Sequence, residues 1–344
     1  MKPFLFSKSL GLISLFTILL FLFSNATAFA QLGLGLAPSD ISLTLDPENP
    51  GPHQQVTVSI DSFATDLNST PITWNVNGKK VLSGIGQKQI TVSSGNIGQK
   101  TTITILIDSQ TGLIEKDVSI IPSSVDLIWE ADTYTPPFFK GKPLFSPEST
   151  ITFIAVPHLM RNGVEVSSGN LIYKWTNNGT VLGDRGGYGK STLSITGSIL
   201  PRPMDISVEA TDPVGAGVAD GEVSLTPLAP FVLLYKNDPL YGVQYEKALQ
   251  GNFSLLGNEI DMVAVPYYFS TPMKDDANMS YTWQINGTPI NDGINSSGKI
   301  FRSAGDTSGI SNISVSASQS QTMFQTAQQS VMINFQKNTA QTSL

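Results

Sequence analysis

The chain has 344 residues and no cysteine, with 27 acidic against 20 basic residues and a formal net charge of −7. The missing thiols exclude cysteine nucleophiles, iron–sulfur clusters and cysteine-ligated zinc, and an acid excess without a basic cluster argues against nucleic acid or an anionic lipid surface as partner. With 40% apolar and only 14% charged residues, the composition is that of a folded protein rather than a disordered polyelectrolyte.

Residues 1–30 read as a secretory signal peptide. Lys2 and Lys8 flank its start, Leu10 to Phe23 form an apolar run, and Ala28-Phe29-Ala30 supplies a small-x-small cleavage site. The run is shorter than the roughly 20 residues a membrane-spanning helix needs, so a membrane association is expected only if this segment is retained. The mature chain is expected to be exported, to the periplasm, the cell surface or the medium. Without disulfides, each of its domains must hold by packing alone.

Residues 31–37 (Gln-Leu-Gly-Leu-Gly-Leu-Ala) read as a linker. Ile41 to Leu45 alternates with period two, as a half-buried strand does, and Pro47, Pro50, Gly51 and Pro52 break it. Further strands are expected over Gln55 to Ile60, Pro71 to Lys79, Lys88 to Val92, Lys100 to Ile107 and Leu113 to Ile121, with a turn at Ser109-Gln-Thr-Gly112. Short strands with turn signals every 8–12 residues or so predict a β-sandwich.

One element occurs three times. Trp74-Asn75-Val76-Asn77-Gly78, Trp175-Thr176-Asn177-Asn178-Gly179 and Trp283-Gln284-Ile285-Asn286-Gly287 each place a tryptophan three residues before Asn-Gly. Asn-Gly after alternating apolar residues is a strong hairpin signal, because both residues accept the positive φ of a type I′ turn. The copies lie 101 and 108 residues apart, about one small sandwich each. Ile151-Thr-Phe-Ile-Ala-Val-Pro157 and Ile260-Asp-Met-Val-Ala-Val-Pro266 match as well, as do Tyr173-Lys-Trp175 and Tyr281-Thr-Trp283, so the second and third copies form the closer pair. The expected organisation is a signal peptide (1–30), a linker (31–37), three domains (38–122, 123–228 and 229–336) and a tail (337–344). The joints are two to four residues long and contain proline, which favours stiffness, and they are expected to carry little interface. No convincing helix is predicted; Tyr245 to Leu249 is the best candidate, at one turn.

The three-unit pattern with its Tyr-x-Trp and Asn-Gly turn resembles the immunoglobulin-like and PKD-like β-sandwich repeats of bacterial surface and secreted proteins. The resemblance implies an all-β fold of three tandem immunoglobulin-like sandwiches. It also implies a non-enzymatic role as spacer, adhesin or assembly component, with a protein or glycan at the cell surface as partner. A binding module for carbohydrate or protein, using loops of the second and third domains, is the alternative.

No stretch carries a convincing catalytic or cofactor motif, and no cofactor or metal is expected. Gly183 to Ser191 has Asp184 where a phosphate-binding loop needs glycine, and it follows a hairpin instead of opening a helix. Ser296-Ser-Gly-Lys299 fits Ser-x-x-Lys without the companion motifs of acyl-transfer enzymes. His53 and His158 lie in different units, and Asp184 and Asp292 read as solvated turn acids. Trp74, Trp175 and Trp283 are expected in the cores. The aromatic segment Tyr134 to Phe139 reads either as a sugar or protein contact or as filling for the joint between the first two units. The candidate partner-binding loop is Tyr267 to Asp276, with Tyr267, Tyr268, Phe269, Asp275 and Asp276 as its contacts, because it exceeds an ordinary hairpin connection.

Overall fold

The computed structural model describes residues 37–215, 217–303 and 308–336. The proposed signal peptide, all of the linker but Ala37, and the tail lie outside the described residues. The described chain is all β apart from two single turns of 3₁₀ helix. It divides into two compact units, the smaller made of residues 37–44, 57–91 and 102–119 and the larger of 45–56, 92–101 and 120–336.

The smaller unit holds most of seven strands: β1 (Ser42–Asp46), β2 (Gln55–Asp61), β3 (Pro71–Val76), β4 (Lys79–Ile85), β5 (Gln89–Ser93), β6 (Thr101–Ser109) and β7 (Gly112–Ile120). They form a sheet in the order β1-β2-β5 and another in the order β4-β3-β6-β7. Alternate residues of β2, β3 and β6 (Val58, Ile72, Trp74, Ile103, Ile105 and Ile107) are fully buried, as the period of two requires.

In the larger unit the same plan appears twice. The first set comprises β8 (Ser124–Ala131), β9 (Thr150–His158), β10 (Met160–Arg161), β11 (Val164–Glu165), β12 (Ile172–Asn177), β13 (Thr180–Val181), β14 (Gly187–Tyr188), β15 (Thr192–Thr196), β16 (Met204–Thr211) and β17 (Val218–Leu225). Its sheets run β15-β9-β8 and β13-β12-β16-β17. The second set comprises β18 (Phe231–Asp238), β19 (Gly242–Leu249), β20 (Asn252–Leu256), β21 (Glu259–Tyr267), β22 (Met279–Ile285), β23 (Thr288–Pro289), β24 (Gly298–Arg302), β25 (Gly309–Gln319) and β26 (Thr326–Gln336). Here the sheets run β19-β18-β21-β24 and β20-β26-β25-β22-β23. Each set encloses its own apolar core, one around Phe153, Tyr173 and Trp175, the other around Met262, Phe269 and Trp283.

The extra strands of the last set fall where a helical turn is the sequence expectation. Tyr245 to Leu249 lies inside β19, which pairs antiparallel with β18. Tyr245 and Leu249 are four residues apart, a spacing that suits a helix turn, but pairing with β18 gives the segment a ladder that a single turn of helix cannot match. β20 pairs in parallel with β26, within a sheet whose other ladders are antiparallel.

The three Asn-Gly turns share one construction. Asn77, Asn178 and Asn286 have φ of 49°, 47° and 49°, and the glycines that follow have 76°, 77° and 81°, the left-handed pair of a type I′ turn. Each asparagine Oδ1 accepts a backbone N–H at the start of a neighbouring strand, from Thr102 (3.0 Å), Asp205 (2.9 Å) and Asn312 (2.8 Å). Each asparagine N–H donates back to the carbonyl of the same residue at 2.8 Å. A side chain that both tolerates positive φ and ties the turn to the adjacent strand explains why asparagine stands at all three places.

Outward positions of the last sheet fall into cross-strand rows: Ser280–Ser318–Thr326, Thr282–Ser316–Gln328 and Gln284–Ser314–Ser330. The corresponding face of the preceding set reads Lys174–Glu209–Asp220 and Thr176–Ser207–Glu222.

Candidate interaction surfaces

Trp74, Trp175 and Trp283 are 0%, 0% and 2% exposed. Each indole also donates its N–H to a backbone carbonyl, of Gln87 (2.7 Å), Lys190 (3.0 Å) and Ser296 (3.0 Å) respectively. The two motif-like stretches are thereby accounted for. The glycine-rich loop places the Lys190 carbonyl over Trp175 and folds the Lys190 ammonium back on the Asp184 carbonyl at 3.1 Å. Ser296 of Ser-x-x-Lys serves Trp283, while Lys299 pairs with Asp292. An indole N–H buried without an acceptor is costly, so the chain brings a carbonyl to each.

The loop from Tyr267 to Asp276 splits in two. Tyr267, Tyr268 and Phe269 are buried and present no open face, so as surface contacts these three are corrected. They meet the segment from Tyr134 to Phe139, which packs against β18 and β21 and not at the joint between the first two sandwiches. The backbones of the two segments exchange hydrogen bonds: Tyr268 N–H donates to the Tyr134 carbonyl at 2.9 Å, and Tyr134 N–H to the Phe269 carbonyl at 2.8 Å. Phe231 stacks on Tyr267 at 4.8 Å with the planes 6° apart, and Phe139 meets Tyr267 edge-on at 5.8 Å. The Tyr235 and Tyr267 hydroxyls bond to each other at 2.7 Å. Burial raises the Tyr267 phenol well above its ordinary value, and the hydrogen bond with Tyr235 adds to it; burial likewise pushes Tyr134 up to about 12.

Polar residues complete this joint. The Gln325 side-chain amide, 1% exposed, donates to the Pro147 carbonyl (2.8 Å) and the Ser270 hydroxyl (2.9 Å) and accepts the Ser270 N–H (2.7 Å). The Glu148 carboxylate accepts the backbone N–H groups of Met323 and Phe324. The sequence did hold a signal for this arrangement. Met262 to Phe269 is a continuous apolar run, the mark of a strand covered on both faces rather than one.

Asp275 and Asp276 stay near the surface, and Asp275 lines an open groove of about 530 Å³ with Lys274, Asp292, Ser297 and Lys299. Lys274 pairs with Asp275 and donates to the buried Ser297 hydroxyl at 3.0 Å. Burial opposes ionisation of Asp275, but Lys274 and Ser297 outweigh it and hold the carboxyl below the ordinary range. A serine beside a lysine invites an acyl-transfer reading, and the geometry opposes it. The lysine that reaches the serine is held at the same time in an ion pair with Asp275. The nearby amides are also spoken for, since Ser297 N–H donates to Asp275 and Gly298 N–H to Ser296 Oγ, so no oxyanion hole is formed there.

Among the described residues there is no cluster of three or more histidine, cysteine or acidic side chains placed to hold a metal. Asp184 lies 3.3 Å from Arg185, Asp292 pairs with Lys299, and His158 sits between Asp126 (3.3 Å) and Glu165 (3.2 Å). The fourth tryptophan, Trp129, has one ring face covered by the Lys142 ammonium at 3.3 Å from its centroid, so that face is not an open stacking platform.

The described residues form β-sandwiches in tandem, each built from two sheets around an apolar core. No protein-family model matches the chain, and no curated protein does. Among solved structures, it is similar to the three N-terminal domains of the bacteriophage RB49 highly immunogenic outer capsid protein, at 11% identity over 86% of this chain and 98% of that one, with a TM-score of 0.25. The central fibronectin-III array of RIM-binding protein matches at 12% identity over 88% and 98%, with a TM-score of 0.29. A Bacteroides ovatus protein of a mixed-linkage glucan utilization locus, SGBP-B, solved with a mixed-linkage heptasaccharide, matches at 12% identity over 83% and 65%, with a TM-score of 0.22.

Proposed function

We propose that the chain is an exported, non-enzymatic protein of the bacterial cell envelope or surface, in which sandwiches spanning residues 38–122, 123–228 and 229–336 act as a spacer that holds a binding or assembly surface at a fixed position. The supporting observation is the joint around Gln325. A freely jointed tether needs only a linker, whereas here Glu148, Gln325 and an aromatic cluster are spent on fixing one sandwich against the next. The groove chemistry described above supports a non-catalytic role. Export rests on residues 1–30.

The absence of cysteine makes a direct test simple. Spin labels introduced at Ser194→Cys and Glu246→Cys, both exposed, report the distance across the joint in the full chain. A single narrow distance distribution is expected; a broad one rejects the spacer reading. Mass spectrometry of the mature N-terminus tests export, with a chain beginning at Gln31 expected. A chain beginning at Met1 in the membrane fraction would show the segment to be an anchor.

A further inference from the structure

In each set of strands, the connection between the first two long strands of one sheet leads toward the sandwich that follows. Residues 47–54, between β1 and β2, belong to the larger unit, and there Asn49 donates its side-chain N–H to Asp220 of β17 at 2.8 Å. Residues 132–149, between β8 and β9, carry Tyr134, Pro147 and Glu148, each hydrogen-bonded to the third sandwich. The third such connection, between β18 and β21, has no further sandwich to meet among the described residues. The pairing register shows what stands there in place of Tyr134. Val125 pairs with Pro157 and Val232 with Pro266, and nine residues on from these valines come Tyr134 and Tyr241. Tyr134 is packed into the aromatic cluster of the joint, with its backbone bonded to Tyr268 and Phe269. Tyr241 is 79% exposed beside an equally exposed Leu240, at the tip of the β18–β19 hairpin. The tip is nonetheless held in shape, because Asp238 Oδ1 accepts the N–H groups of Leu240 (2.9 Å) and Tyr241 (3.3 Å).

The receiving side has a free counterpart too. Phe269, which takes the Tyr134 N–H on its carbonyl, is the second residue after β21. The second residue after β2, the matching strand of the first sandwich, is Phe63, and its side chain is wholly exposed. We infer that the Leu240–Tyr241 tip of one molecule docks on the Phe63 loop of a second copy, end to end, as Tyr134 docks on Tyr268 and Phe269 within the chain. The joint already present in the chain names the occupant: an aromatic tip from the connection after the first strand meets an aromatic residue just past the strand that follows that connection. Both halves of that pairing recur, unpartnered, in the third and first sandwiches.

Such a contact joins two different surfaces, so it lengthens a row of molecules and does not close at a dimer. Inside the chain the pairing is intramolecular, whereas between copies it must offset the freedom lost on association. It is therefore weak in dilute solution and strengthens where molecules are held at high local concentration. This deepens the spacer reading and rests on it, since the surface held at a fixed position is then one that meets another copy. The two fail separately: a chain that stays monomeric can still show a single narrow distance across its own joint.

The test is sedimentation equilibrium of the purified chain at rising concentration, compared with the Phe63→Ser and Tyr241→Ser variants. Tyr188→Ser, at an exposed tyrosine of the second sandwich, serves as a control, and thermal melting checks that each variant folds. The parent and Tyr188→Ser are expected to associate reversibly beyond the dimer, with Phe63→Ser and Tyr241→Ser each about tenfold weaker. Because the chain has no cysteine, Ala64→Cys and Pro239→Cys variants, mixed and oxidised, report which ends meet. The mixed disulfide is expected in excess over the two same-site dimers. A monomer at every concentration, association that neither serine substitution weakens, or an excess of same-site dimers overturns the inference.

Discussion

The side-chain amide of Gln325 donates to the backbone carbonyl of Pro147 across 2.8 Å, although the two lie 178 positions apart in the chain. The glutamine sits in the turn between β25 and β26, and the proline just before β9. Because the amide is buried and bonded on both its nitrogen and its oxygen, it is a fixed part of the joint and not a surface contact. Gln325→Ala should leave the Ser270 N–H and the Pro147 carbonyl without partners and destabilise the larger unit by about 1–3 kcal/mol. Differential scanning calorimetry of the full chain checks this. The second and third sandwiches should melt in one transition in the parent and separate in the variant.

The tyrosine pair at the same joint makes a non-additive prediction. Tyr235→Phe or Tyr267→Phe alone leaves one buried hydroxyl unpaired and should cost about 1–2 kcal/mol. The double variant removes both hydroxyls and should be more stable than the sum of the single losses implies. Equilibrium urea unfolding of the three variants gives the coupling, and strict additivity would show that the hydroxyls do not depend on each other.

For the tryptophans, burial and the indole hydrogen bond separate experimentally. Trp175→Ala should lower the stability of its sandwich by about 3–5 kcal/mol through lost burial and a cavity. Trp175→Phe keeps part of the ring contact but orphans the Lys190 carbonyl, and should cost about half as much. A near-neutral Trp175→Ala, measured by chemical denaturation, would be incompatible with the buried position.

Acid should weaken the second sandwich through Asp212. Its side chain is 1% exposed and takes a paired hydrogen bond from Arg161, Nε at 2.7 Å and Nη2 at 2.6 Å. Arg161 first, with the Val214 and Gly215 amides and against the effect of burial, lowers this carboxyl from 3.8 to about 2. The folded value lies below the unfolded one, so the stabilisation is complete above pH 3.8 or so and is lost as pH falls through 2. Asp212→Asn should destabilise the sandwich by about 2–4 kcal/mol at pH 6. The difference between variant and parent should shrink between pH 4 and 2, as denaturant midpoints across that range will show.

Local chemistry was legible in the sequence, and long-range covering was not. The Asn-Gly hairpins are set by residues adjacent in the chain, and the period of two in β2 and β6 names their buried faces. By contrast, β19 takes its state from β18, and Tyr267 to Phe269 take their burial from Tyr134 and Phe139, more than 120 residues earlier. A long loop rich in aromatic residues has the same composition whether it meets a ligand or a neighbouring sandwich. Only the unbroken apolar run before it distinguished the two cases.

The parallel pairing of β20 with β26 bears on how such chains behave when crowded. β26 is eleven residues long, and an open edge of that length is a ready template on which another chain can extend the sheet. β20 occupies its last five residues, from Met332 to Gln336. The six residues left beyond β20, Thr326 to Val331, are polar apart from Ala327 and Val331, giving a short and weakly cohesive edge. At this position a second molecule finds a template of six residues and not eleven, so the cap weakens one route by which copies could extend a common sheet.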